Sequence, residues 1–177
     1  DRYVERTSVM DHLCETLLAL EDNGEPRVTR AALHGMGGVG KTNIASAFAH
    51  LDVVRKRFPD GVLWVTLGQE PTLVQRLSDW GRELHDKQLV AGSYVDQIAG
   101  TSSLRSLLSN KACLLVVDDV WKSDHAEAFL VGGPRCLLLI TTRLSEIGEE
   151  IGASAIELTE MKPAEALTLV ENLSGPV

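Results

Sequence analysis

Residues Gly35 to Thr42 read GMGGVGKT and match G-x-x-x-x-G-K-[ST] at every fixed position. Each residue type has a chemical reason to be there. Gly35, Gly37, Gly38 and Gly40, with Met36 and Val39 between them, let the backbone curl until successive N–H groups point inward at phosphate oxygens. A helix starting near Lys41 adds the positive end of its dipole. The Lys41 ammonium can reach β- and γ-phosphates, and the Thr42 hydroxyl is placed to bind Mg²⁺. This segment is expected to hold phosphate.

Two further segments suit the same chemistry. LLVVDDVW (residues 114–121) is an apolar strand ending in two acids. On a parallel sheet, ligands sit at the carboxyl ends of the strands, so both acids would face the glycine loop across a nucleotide. Asp118 suits Mg²⁺, directly or through water, and Asp119 suits orientation or deprotonation of an attacking water. RCLLLITTR (residues 135–143) delivers Thr142 and Arg143 to the next strand end, where the arginine would bind a γ-phosphate and report ATP against ADP.

Rival chemistries fit less well. Gly35, Gly37 and Gly40 also spell G-x-G-x-x-G, but a dinucleotide site needs an acid at the tip of the second strand, where only the late Glu70 is available. Gly40-Lys41-Thr42 has no role in that scheme. Asn110-Lys111 starts like a guanine-reading NKxD, yet Cys113 stands where the Asp belongs. His12 and Cys14 lack two further spaced ligands for zinc. Cys14, Cys113 and Cys136 show no CxxC spacing and sit beside leucines, which reads as buried, reduced thiols in a cytoplasmic protein. Trp64, Trp80 and Trp121 are expected to pack in the core or at its rim.

These residues need a frame. Seventeen Lys and Arg against 25 Asp and Glu give a net charge of −8, which argues against general binding to nucleic acid or an anionic membrane. No apolar run approaches the roughly 18–20 residues of a bilayer helix. With 177 residues, the chain is expected to be one domain, at most with a fragment of a second. Val9, Leu13, Leu17 and Leu20 predict a helix over 7–22, and strands are expected at 28–34, 61–67, 112–120, 135–143 and 156–158. Helices are expected at 41–57, around Leu73, Leu77, Trp80 and Leu84, around Leu104, Leu107 and Leu108 after a loop at 90–100, and from Pro163 to residue 174. Strands alternating with helices imply an α/β fold with a parallel sheet.

The set YVER, LHGMGGVGKT, GVLWVTLG, LLVVDDVW, LLLITTR and IELTEMKPAEALTLV resembles the NB-ARC domain of the STAND class of P-loop NTPases, over nearly the whole chain. That is the switch module of plant immune receptors, the animal apoptosome scaffold and related bacterial regulators. The resemblance implies a three-layer P-loop NTPase fold, with a five-stranded parallel sheet of order 2-3-4-1-5. It implies a nucleotide-binding domain over 1–160 and the start of a helical subdomain over 161–177. It implies ADP or ATP with Mg²⁺, slow hydrolysis, and an ADP-locked resting monomer that opens to homo-oligomerise, attached to sensor and effector domains.

By motif position, Val4 and Arg6 would contact the adenine end. Gly38, Gly40, Lys41 and Thr42, followed by Asn43 and Ile44, would hold phosphates and sugar. Asp118 would serve Mg²⁺, Asp119 the water and Arg143 the γ-phosphate. Where many related ATPases carry Glu, Asp119 is a shorter arm that fits slow turnover. The family's GLPL-type and histidine motifs are expected beyond residue 177. Two alternatives stay open: an interaction module that uses ADP as a clamp without hydrolysis, and an oligomeric motor ATPase.

Overall fold

A computed structural model of the chain describes residues 7–20, 24 and 29–160. Five strands form one parallel sheet: β1 (Arg30–His34), β2 (Val62–Thr66), β3 (Leu114–Val120), β4 (Leu137–Thr142) and β5 (Ser154–Glu157). Their spatial order is β2-β3-β4-β1-β5, with every pairing parallel. β4 therefore lies between the glycine-loop strand β1 and the acidic strand β3, as the resemblance implies.

The pleat sorts the apolar residues to two faces. Ala31, Leu33, Leu114, Val116, Leu137 and Leu139 pack with Leu13 of α1 (Thr7–Leu17) and Ile44 and Phe48 of α2 (Lys41–His50). Val54 of α3 (Asp52–Arg57) joins that face. On the other face, Leu63, Val65, Leu115, Val117, Leu138 and Ile140 meet helices α4 (Leu73–Glu83), α5 (Gln97–Leu108), α6 (Ser123–Glu127) and α7 (Ser145–Glu150). Trp80 of α4 packs edge-on against Phe129 there, with ring centroids 4.9 Å apart. β3 and β4 are covered on both faces, which is why their sequences read as unbroken apolar runs.

Several boundaries differ from the sequence reading. α1 stops at Leu17, and Leu20 is exposed beyond it, while Met10 takes the buried place on the inner face. The helix expected over 41–57 is two helices. Leu51 adopts φ −62°, ψ 137°, an extended conformation that ends α2 and restarts the chain as α3. α5 begins earlier than expected because Asp96 caps it, its carboxylate accepting from the Ala99 N–H at 2.7 Å. α6 and α7 have no counterpart in the sequence pattern, since five or six residues are too few to show a helical period. The helix expected from Pro163, and the segment 161–177 with it, lie outside the described residues.

Candidate nucleotide-binding site

The loop after β1 depends on its glycines. Gly35 has φ +150°, and a Cβ there would lie 2.3 Å from the Leu158 carbonyl oxygen. That contact arises because β5 runs alongside, with the Leu158 N–H donating to the His34 carbonyl at 2.7 Å. Gly38 and Gly40 take φ +80° and +98°, in the left-handed region that costs glycine little. Gly40 sits at the start of α2, where the first helical hydrogen bond runs from Ile44 N–H to the Gly40 carbonyl. The N–H groups of Lys41, Thr42 and Asn43 therefore have no acceptor inside the helix, and they open onto the loop with the helix dipole behind them. Lys41 Nζ folds back over the loop, donating to the carbonyls of Gly35 (2.8 Å) and Met36 (2.9 Å).

Opposite stands the end of β3. Asp118 is nearly buried, and three hydroxyls donate to its carboxylate: Thr42 to Oδ1 at 2.8 Å, Thr141 to Oδ1 at 2.7 Å and Thr66 to Oδ2 at 3.4 Å. These threonines come from α2, β4 and β2, so one carboxylate ties together the elements on both sides of the loop. Asp119 is half-buried and has φ +56°, a left-handed turn that interrupts the register between β3 and β4. Its N–H donates to Thr141 Oγ1 at 3.0 Å and its carbonyl accepts from Gly68 N–H at 3.1 Å, which together hold the turn.

Arg143, just past β4, is exposed and lies with its guanidinium 4.7 Å from the centroid of the Trp121 ring. The same side chain sits beside Gly37, where an added Cβ would be 2.9 Å from its Nη1. Burial lowers the Lys41 ammonium below its ordinary value and Arg143 pushes it the same way, while Asp119 and Asp118 partly oppose them. A negatively charged ligand between these cations would relieve both effects.

Gly38, Gly40, Lys41, Thr42, Asn43, Asp118, Asp119 and Arg143 thus line one open cleft of about 410 Å³, together with Thr66 and Thr141. The other positions named from the sequence fall around it. Gly35 and Met36 supply carbonyls to Lys41, the Met36 side chain is exposed, Val39 packs on the core, and Ile44 is buried beneath α2. Val4 and Arg6 lie outside the described residues. Sequence reasoning singled out Thr142, but its hydroxyl donates to the Val120 carbonyl at 2.8 Å, and the neighbouring Thr141 reaches the acids. It also missed Thr66, whose approach to Asp118 follows from the register Thr66↔Asp118 across two strands.

The profile of the NB-ARC domain matches residues 6–176. The chain belongs to the NB-ARC family. It is 32% identical over 152 residues to the probable disease resistance RPP8-like protein 4 of Arabidopsis thaliana, a match spanning 82% of this chain and 16% of that protein. It is equally 32% identical over 151 residues to the regulatory protein AfsR of Streptomyces griseus, spanning 82% of this chain and 15% of that one. This NB-ARC chain thus spans only about a sixth of the length of these relatives. Among solved structures, Cdc6p from Pyrobaculum aerophilum superposes with a TM-score of 0.66 at 14% identity, over 96% of this chain and half of that one, which speaks to the fold alone. The five-stranded 2-3-4-1-5 sheet is that of the P-loop NTPases. As an NB-ARC domain, the chain is a nucleotide-binding signalling domain.

Proposed function

We propose that this NB-ARC domain is an ADP/ATP switch with slow, Mg²⁺-dependent ATP hydrolysis and an ADP-bound resting state. The observation that carries the reading is the convergence of Lys41, Thr42, Asp118, Asp119 and Arg143 on one cleft from three separate strand ends. The loop N–H groups and Lys41 bind the α- to γ-phosphates. Thr42 and Asp118 are the Mg²⁺ pair: a hydroxyl and a carboxylate oxygen 2.8 Å apart are the hard donors this ion takes. One carboxylate and one hydroxyl suffice, because Mg²⁺ keeps waters and phosphate oxygens for the rest of its shell. Bound there, the ion would neutralise charge developing on the phosphates.

Asp119 takes the proton of the attacking water as its oxygen bonds to the γ-phosphorus and the bond to the β-phosphate oxygen breaks. Its short arm on a fixed left-handed turn limits how close the carboxylate comes, which suits a slow clock. Arg143 binds the γ-phosphate and so separates ATP from ADP. By motif position Val4 and Arg6 would contact the adenine end, and residues 161–177 would start a helical subdomain. In the longer protein, sensor and effector domains would be coupled to this state, with homo-oligomerisation after exchange. The three thiols of Cys14, Cys113 and Cys136 are unpaired, in keeping with a cytoplasmic setting.

A single-turnover assay with Asp119→Ala tests the hydrolytic part. The expected result is a rate lower by about 10²-fold, the scale of a positioned base, with ADP affinity retained. An unchanged rate would remove Asp119 from the chemistry, and no turnover in the wild type would contradict the hydrolytic switch and favour ADP as a structural clamp.

A further inference from the structure

The geometry points to Trp121 as a positioning residue for Arg143: its indole face berths the guanidinium beside Gly37, and this berth sets how well the site prefers triphosphate over diphosphate. The inference rests on the ADP/ATP reading of the cleft.

The placement begins in the backbone. Val120 of β3 is in register with Thr142 of β4, so Trp121 and Arg143 leave neighbouring strand ends side by side. The guanidinium carbon then lies 4.7 Å from the ring centroid, within the range of a cation–π contact, and Trp is the ring that binds cations best. Among the described residues the contacts that hold the Arg143 side chain are the Trp121 ring face and its close approach to Gly37. Trp121 is only partly exposed, and it is the face of its ring that the guanidinium carbon lies over.

A cation–π contact of this kind uses the charge of the guanidinium and does not consume its N–H donors. Those donors lie next to Gly37, where the missing Cβ leaves room for Nη1. Arg143 also lines the same cleft as Lys41, the residue whose motif position serves the β- and γ-phosphates. Arg143 is therefore pre-aimed at the outer end of the phosphate chain, and a triphosphate need not order a long, solvated side chain when it binds. A diphosphate gains nothing from the berth.

The test is an equilibrium titration of the domain with Mg²⁺-ADP and with Mg²⁺-β,γ-imido-ATP, using wild type, Trp121→Leu, Trp121→Phe, Arg143→Ala and the double variant Trp121→Leu/Arg143→Ala. Trp121→Leu should weaken the triphosphate analogue about three- to tenfold, the range of a cation–π contact, and shift ADP less than twofold. Trp121→Phe, which keeps a smaller face and the fold, should fall between wild type and Trp121→Leu. In the Arg143→Ala background, Trp121→Leu should have no further effect on the ratio of the two affinities. Equal losses for both nucleotides, no loss for either, or an effect that persists without Arg143 would overturn the inference. If Arg143→Ala itself left the ratio unchanged, the γ-phosphate reading of Arg143 would fail, and the berth with it. That outcome is distinguishable from failure of Trp121 alone.

Discussion

Thr141 Oγ1 donates to Asp118 Oδ1 at 2.7 Å and accepts from the Asp119 N–H at 3.0 Å. One buried hydroxyl thus fixes both acids, the first through its carboxylate and the second through its backbone. Thr141→Val keeps the shape and removes both bonds, leaving a nearly buried carboxylate short of a donor. The expected loss is about 1–3 kcal/mol, seen as a drop in Tm of several degrees for a chain of this size. Thr141→Ser should recover most of it. Equal melting of Thr141→Val and wild type would mean that the hydroxyl carries none of this load.

Gly35 makes a second case. A Cβ at 2.3 Å from the Leu158 carbonyl oxygen meets backbone, which cannot swing aside as a side chain can, and φ +150° adds strain. Gly35→Ala should therefore displace β5 or the loop and cost at least about 2 kcal/mol, on the scale of local strain and overpacking. Gly38→Ala has open space and only its positive φ to accommodate, so its cost should be near 1 kcal/mol. Urea unfolding of the two variants checks the order. The reverse order would contradict the packing of β5 against the loop.

Magnesium should act through Thr42. Removing its hydroxyl in Thr42→Ala takes away one of the two protein oxygens of the pair with Asp118. The gain in nucleotide affinity on adding Mg²⁺ should fall by at least about tenfold, the usual scale of a lost metal-site interaction. Affinity in the presence of a chelator should change much less. A full Mg²⁺ response in Thr42→Ala would displace the ion from this pair.

Away from the cleft, Asp86 joins α4 to α5. Burial alone would raise its carboxyl, but donors from Ser103 (2.5 Å), Tyr94 (2.6 Å) and the Gln88 N–H (2.9 Å) outweigh it and hold the group below the usual value. Because the folded value is lowered, the ionised group stabilises the fold above the ordinary carboxylate range, near pH 4, and that stability is lost as pH falls through the folded value. Asp86→Asn should be less stable than wild type at pH 7 by about 1–2 kcal/mol. The gap should close as pH falls from the ordinary carboxylate range through the lowered folded value. A gap that stayed constant with pH would mean that shape, and not ionisation, is what Asp86 provides.

Local features can be read from the sequence, and contacts between distant segments cannot. The glycine loop is local: eight consecutive residues carry both its curl and its charge, and the structure draws the predicted Lys41, Thr42 and Asn43 into the cleft. Long apolar runs likewise marked β3 and β4, because burial on both faces leaves a continuous signature. Sheet order has no local signature and came only through the family resemblance. The partners Thr66 and Thr141 lie 52 and 23 residues from Asp118, distances that only register can bridge. The Trp121 ring gives no hint in the sequence of its partner, which is set only when β3 and β4 lie side by side. The extended residue Leu51 was missed because α2 and α3 have good helical sequences on both sides of it.

On the proposed function, the cleft between Lys41 and Asp118 binds adenine nucleotide. The direct measurement is calorimetric titration of wild type and Lys41→Ala with ADP and ATP in the presence of Mg²⁺. Wild type should bind one nucleotide per chain, and Lys41→Ala should lose at least about tenfold in affinity, as expected when a charged hydrogen-bond donor to phosphate is removed. Equal affinity in the two proteins would contradict the assignment of the site.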